Sequence, residues 1–130
     1  MRTHTTHGHH ILAASQSRVL RAGAQIALSH HERFDGSGYP AGLRADAIPL
    51  FGRIVAVADV FDALTTRRAY KTTHDIESAA EHIREGAGSA FDPACVRAFF
   101  RAWDGIVSIK ARYADRSTRG DGELGGVRAA

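Results

Sequence analysis

Cysteine is almost missing from this sequence. Cys95 is the one thiol in 130 residues, so no internal disulfide can form and a disulfide-stapled scaffold is excluded. Cys95 shares a short apolar helical pattern with Val96 and Phe99, which predicts a buried structural thiol rather than a nucleophile or a ligand. Long hydrophobic runs are missing too. Nothing approaches the roughly 18 apolar residues of a membrane span or the layout of a secretory leader, and the expected setting is by default cytoplasmic. An excess of one charge is also absent, since 17 Lys and Arg face 14 Asp and Glu for a formal net charge of +3. That balance suits a small anionic ligand and does not argue for duplex nucleic acid. With 44% hydrophobic residues the chain has the means to build a core, so wholesale disorder is excluded.

What the chain does have is helical periodicity. Val19, Leu20, Ile26 and Ala27 recur at helical spacing behind Ser17, which predicts a helix over 17–31 with Ser17 as its N-cap. Positions 19, 23, 26 and 30 then form one stripe and 20, 27 and 31 its neighbour, so His30 and His31 end the helix facing inward. Gly36, Gly38, Pro40, Gly42 and Pro49 break any regular element over 35–49 and predict a shaped loop. Ile48 to Leu64 reads as a second helix through Ile54, Ala58, Phe61 and Leu64, although its β-branched residues also admit a strand. Asp75 caps a third helix over 76–85, stopped by Gly86 and Gly88. Asp92 and Pro93 open a fourth that carries Val96, Phe99, Phe100 and Trp103. From Asp115 the chain turns polar and glycine-rich, so the expected organisation is a domain over 1–114 and a disordered tail over 115–130. With no repeat and no convincing sheet, the fold class is all-α.

The chemistry sits in the histidines. There are eight, four of them (His4, His7, His9, His10) within the first ten positions. A plain tag would not continue into Ile11 and Leu12. His30 and His31 are adjacent, and on a helix they point about 100° apart, so the pair alone does not bind one ion and needs further ligands. Asp59 interrupts the apolar run Val55 to Phe61 with a carboxylate, and Asp62 lies one turn on, on the same side. A charge in such a run is costly unless paired or metal-bound. The periodicity does not choose between a metal ligand, an ion pair with Arg53 or Arg67, and a solvent-facing carboxylate. Imidazoles with carboxylates suit Zn, Mn or Fe better than Ca or Mg.

Taken in order, these segments resemble the C-terminal part of HD-GYP domains, all-α bacterial phosphohydrolases that cleave cyclic di-GMP. His4, Thr5, Gly8, Ile11 and Leu12 follow the family's HTxxGxxIL, and His30 to Glu32 its HHE. Asp35 to Pro40 match DGSGYP, Asp59 to Leu64 match DVFDAL, and Phe91 to Pro93 match FDP.

The resemblance implies that His4, His30, His31 and Asp59 are ligands of a two- or three-metal site for Fe, Mn or Zn, supported by Asp62, Gly36, Gly38 and Pro40. It implies that Tyr39, Arg68 and Lys71 contact cyclic di-GMP. Clustered divalent ions suit phosphodiester hydrolysis because they stabilise both the attacking and the leaving oxygen. The family's His-Asp pair, the lysine after it and further ligands precede the HTxxG segment, whereas Met1 stands three residues before His4. The expectation is therefore an N-terminally incomplete domain with no catalytic residue to assign. Uncovered apolar residues, namely Ile54, Phe61, Phe99 and Trp103, would favour a homo-oligomer or a partner chain. Two functional readings stay open. One is part of a metal-dependent cyclic di-GMP phosphodiesterase following an upstream receiver or sensor domain; the other is a non-catalytic module that binds cyclic di-GMP or a diguanylate cyclase domain.

Overall fold

The computed structural model describes residues 3–66 and 75–120, with side chains as far as Tyr113. Among them the chain forms six α-helices and no strand: α1 Thr3–Ala13, α2 Arg18–Ser29, α3 Leu50–Thr65, α4 Ile76–Glu85, α5 Pro93–Arg101 and α6 Trp103–Gly120. A single 3-10 turn, Ala45–Ala47, lies in the connection between α2 and α3. The all-α class therefore holds. None of the described helices is long and apolar enough to cross a membrane.

The chain divides into two units, residues 1–97 and 98–130. In the first, α1 packs on α2, α2 on α3, and α3 on α4. Steps of one helical turn set the first of these crossings. A Cβ on Gly8 would lie 3.1 Å from that of Ala27, and one on Gly23 would lie 3.4 Å from Leu12. Contacts that climb α1 from residue 8 to 12 thus descend α2 from 27 to 23, so the two helices run antiparallel. One turn further, His4 falls beside His30 and His31. The His9 imidazole adds a tie by donating from Nδ1 to the Ala24 carbonyl at 3.2 Å. Between α2 and α3 the backbone of Gly52 lies against the Ser29 side chain, where any Cβ would collide.

The core joins Ala56, Val57 and Phe61 of α3 to Ala79, Ala80 and Ile83 of α4, with Ile48, Phe91, Cys95 and Val96 closing it. Burial of a side chain such as Ile83 or Val57 contributes about 1.5–3 kcal/mol. Cys95 is buried and free, as its apolar setting suggested. Phe61 is buried too, which corrects the expectation that it would be exposed, because it continues the stripe of Gly52, Ala56 and Val57. Ile54 lies off that stripe and is exposed, together with Leu50 and Phe51.

Local capping explains the helix ends. Asp75 accepts the Ser78 N–H at 2.7 Å and opens α4 where the sequence placed it. Asp92 accepts the Ala94 N–H at 2.8 Å in front of Pro93 and opens α5. Ser17 stands at the N-cap of α2 but makes no side-chain cap bond. Helix α2 stops at Ser29, with His30 as its C-cap, two residues before the expected end.

In the second unit, Phe99, Phe100 and Trp103 form a half-buried aromatic cluster with ring centroids 5.3–5.9 Å apart. Phe99 and Trp103 are therefore only partly exposed. Helix α6 runs on to Gly120, so residues 115–120, expected in a tail, continue a helix instead. Residues 121–130 lie outside the described part.

Candidate metal centre

Three elements deliver the three histidines. His4 comes from the first turn of α1, His30 from the C-cap of α2, and His31 from the turn that follows. Each offers one ring nitrogen, and these atoms all lie within 4.8 Å of one another. Centroids are 4.0 Å apart for His30 and His31, 5.0 Å for His4 and His31, and 6.0 Å for His4 and His30. Adjacency in sequence does not spread the pair here, because the helix ends between them and the backbone turns. No other such group of three occurs among the described residues.

The surroundings of two rings prepare them for a ligand role. Nδ1 of His30 lies 2.7 Å from the Ile26 carbonyl. A carbonyl only accepts, so Nδ1 carries a proton, and in the neutral ring it is Nε2 that offers the lone pair. His31 is held below the ordinary histidine range, first by burial and then by the neighbouring His30 and His4, against an opposing pull from Asp59. Neutral imidazole is the form that binds a metal.

Asp59 is near enough to act on His31 electrostatically, but its carboxylate is exposed on α3 and lies outside the group of three. The cost of a buried charge does not arise for it. Arg53, one of the cations the sequence offers Asp59, bonds instead to Asp92 at 2.7 Å and to the Ile48 carbonyl at 2.9 Å. Asp62 accepts the Thr66 hydroxyl at 3.0 Å at the end of α3. Arg67, Arg68 and Lys71 lie outside the described residues.

The glycine-rich loop closes over the same site. Tyr39 stacks on the His31 ring at 5.0 Å with planes 20° apart, and its N–H reaches the His31 carbonyl at 3.2 Å. The Tyr39–Pro40 peptide bond is cis. Gly36 has φ +87°, in the left-handed region where a side chain would be strained. Gly38 lies so close to the chain that a Cβ would sit 2.7 Å from the Glu32 carbonyl carbon and strike the Arg33 amide. At the loop's start, Asp35 accepts the Ser37 N–H at 2.9 Å and hydroxyl at 2.6 Å, bonds that hold its carboxyl below the usual range. Its own N–H reaches the Ser89 carbonyl at 2.9 Å, which ties the loop to the α4–α5 connection.

Two residues named in the sequence motifs take roles that the sequence does not assign them. Glu32 is buried and accepts the Ala41 and Leu43 N–H groups; its signal was a carboxylate set directly before a run of breakers. Asp92 is legible in the sequence as a cap, whereas its second role, holding Arg53, has no local signal.

The donor set fits a divalent ion of borderline softness. Three imidazoles with no competing thiolate suit Zn, Fe or Mn, and three protein ligands leave positions open for water or substrate.

A model of the HD domain family matches residues 1–95. The chain is 46% identical over 122 residues to a cyclic di-GMP phosphodiesterase of Thermotoga maritima, covering 94% of this chain and 33% of that protein. It is 46% identical over 119 residues to the cyclic di-GMP phosphodiesterase response regulator RpfG of Xanthomonas campestris, covering 92% and 32%. A crystal structure of a cyclic GMP-AMP-specific phosphodiesterase of Vibrio cholerae matches with a TM-score of 0.65 and 31% identity, over 79% of this chain and 23% of that one. The chain spans about a third of the length of the first two relatives.

Proposed function

The chain belongs to the HD domain family, and from that premise we propose that it carries part of the metal site and the nucleotide loop of an HD-GYP-type phosphodiesterase hydrolysing cyclic di-GMP. The observation that carries this reading is the convergence of His4, His30 and His31 within 4.8 Å, brought about by the antiparallel packing of α1 on α2.

In this reading His4, His30 and His31 hold a divalent ion, His30 through Nε2, and Asp59 adds an oxygen donor from α3. The Ile26 carbonyl fixes the His30 ring for that role. An ion bound there supplies a Lewis acid for the phosphodiester and makes an attacking water acidic enough near neutral pH. Tyr39, held against His31, meets the nucleotide beside the ligands. Arg68 and Lys71 donate to its phosphates, where cationic groups form strong charge-assisted bonds. Asp62 keeps the end of α3 closed through Thr66.

The test uses the purified full chain with Mn, Fe or Zn added, and chromatography to follow loss of cyclic di-GMP. Turnover in the parent that disappears in His31→Ala supports hydrolysis by this chain. A chain that takes up no metal and neither binds nor cleaves cyclic di-GMP overturns the reading. One observation favours the alternative of a binding module, namely that Asp59 stands outside the histidine group. Calorimetric binding of cyclic di-GMP without turnover selects that alternative.

A further inference from the structure

Glu32 follows His31 directly and opens the loop, yet it is a carboxylate only 4% exposed. Among the described residues no cation forms an ion pair with it. A buried carboxylate is costly unless its oxygens are bonded, and here both are. One oxygen accepts the Ala41 N–H at 2.8 Å and the other the Leu43 N–H at 3.0 Å. These two amides follow Tyr39 and Pro40 in the chain, so the bonds close residues 32–43 into a ring. On the other side of the loop, the Tyr39 N–H reaches the His31 carbonyl at 3.2 Å and its aromatic ring lies on the His31 imidazole. The buried carboxylate needs partners for both oxygens, and this course of the loop presents the two amides that supply them. Loop shape and Glu32 therefore depend on each other.

We propose that Glu32 is a positioning residue that clamps the 36–43 loop against His31 and so sets where Tyr39 stands relative to the metal-binding imidazoles. It does so through the loop backbone and touches neither metal nor nucleotide. The consequence for nucleotide binding rests on the proposed function, whereas the consequence for the loop does not.

Glu32→Gln and Glu32→Ala in the full chain test this. Glutamine keeps the shape and one carbonyl acceptor but turns an NH2 group toward the second amide. Hydrogen exchange at Ala41 and Leu43 is expected to quicken about tenfold or more in Glu32→Gln, and further in Glu32→Ala, as charge-assisted bonds are lost. Amides in the middle of α2 and α3 are expected to keep parental rates, and the cross-relaxation between the Tyr39 and His31 rings to disappear. Cyclic di-GMP affinity should fall about tenfold while zinc uptake by the histidines stays within about twofold, because the loop and not the ligands has moved. A merely structural role would quicken exchange throughout and weaken zinc and nucleotide together, which overturns the proposal. Unchanged exchange at Ala41 and Leu43 in Glu32→Gln also overturns it. If the parent binds neither zinc nor cyclic di-GMP, the proposed function fails alone, and the exchange rates still decide the role of Glu32.

Discussion

Removing the Asp92 carboxylate should expose how the α3–α5 junction is held, because its two oxygens do separate work. Oδ1 caps α5 through the Ala94 N–H at 2.8 Å, and Oδ2 bonds the Arg53 guanidinium at 2.7 Å. The Asp92 side chain is 7% exposed and that of Arg53 16%, so water replaces neither bond well. Loss of the cap costs about 1 kcal/mol. Leaving a mostly buried guanidinium without its carboxylate costs about 2–3 kcal/mol. Arg53 keeps the Ile48 carbonyl and an Asp46 contact at 3.4 Å, but the Asp46 side chain is 94% exposed and screened by solvent, which makes it worth under about 1 kcal/mol. Asp92→Asn, which retains capping ability, is therefore expected to lose about 2 kcal/mol and Asp92→Ala about 3 kcal/mol in urea denaturation. Acid should reveal the same pair. Burial pushes the Asp92 carboxyl up, but the Arg53 bond, the Ala94 N–H and the Arg53 charge outweigh it and hold it below the usual range. The unfolded chain then takes up this proton more readily than the folded one. The stabilisation is complete above about pH 5 and disappears as pH falls below about 4, and Asp92→Asn should flatten that limb. An Asp92→Asn variant as stable as the parent, or no more stable than Asp92→Ala, would refute this reasoning.

Other outcomes follow from the close contacts and the donor set. Gly38→Ala should lower stability by about 2–4 kcal/mol in the same assay, since its Cβ meets rigid backbone at Glu32 and Arg33 rather than a movable side chain. Gly52→Ala should cost less, roughly 1–3 kcal/mol, because the colliding Ser29 side chain can turn away at the expense of its bond to the Gln25 carbonyl. Asp59→Asn is expected to weaken zinc affinity about tenfold or more, read by calorimetry, while exposed His10→Ala leaves it unchanged.

Features that depend on neighbours in sequence were legible before the structure. The caps Asp75 and Asp92 are single residues acting on amides two or three positions on, so α4 begins behind Asp75 and ends before Gly86, and α5 begins behind Asp92. Helix α1 was not legible as a helix, because its threonines, Gly8 and histidines form no apolar stripe; its partner α2 supplies the reason it is helical. The buried side of α3 was partly legible. Asp59 read as an intruder in an apolar run, but the stripe through Gly52, Ala56, Val57 and Phe61 leaves it exposed. Long-range partners were out of reach, since Arg53 and Asp92 stand 39 positions apart and the loop amides held by Glu32 follow it by 9 and 11. For the site itself, the resemblance supplied the grouping of His4 with His30 and His31, and the packing of α1 on α2 supplied its physical cause.

The most direct measurement is a zinc titration of the full chain at neutral pH followed through the imidazole 15N shifts of all eight histidines. His4, His30 and His31 should each shift at one nitrogen with one saturating equivalence point, and for His30 that nitrogen should be Nε2 while Nδ1 stays protonated against the Ile26 carbonyl. No shift at these three, or equal shifts spread over His7, His9, His10 and His82 as well, would contradict a metal centre built from the ends of α1 and α2.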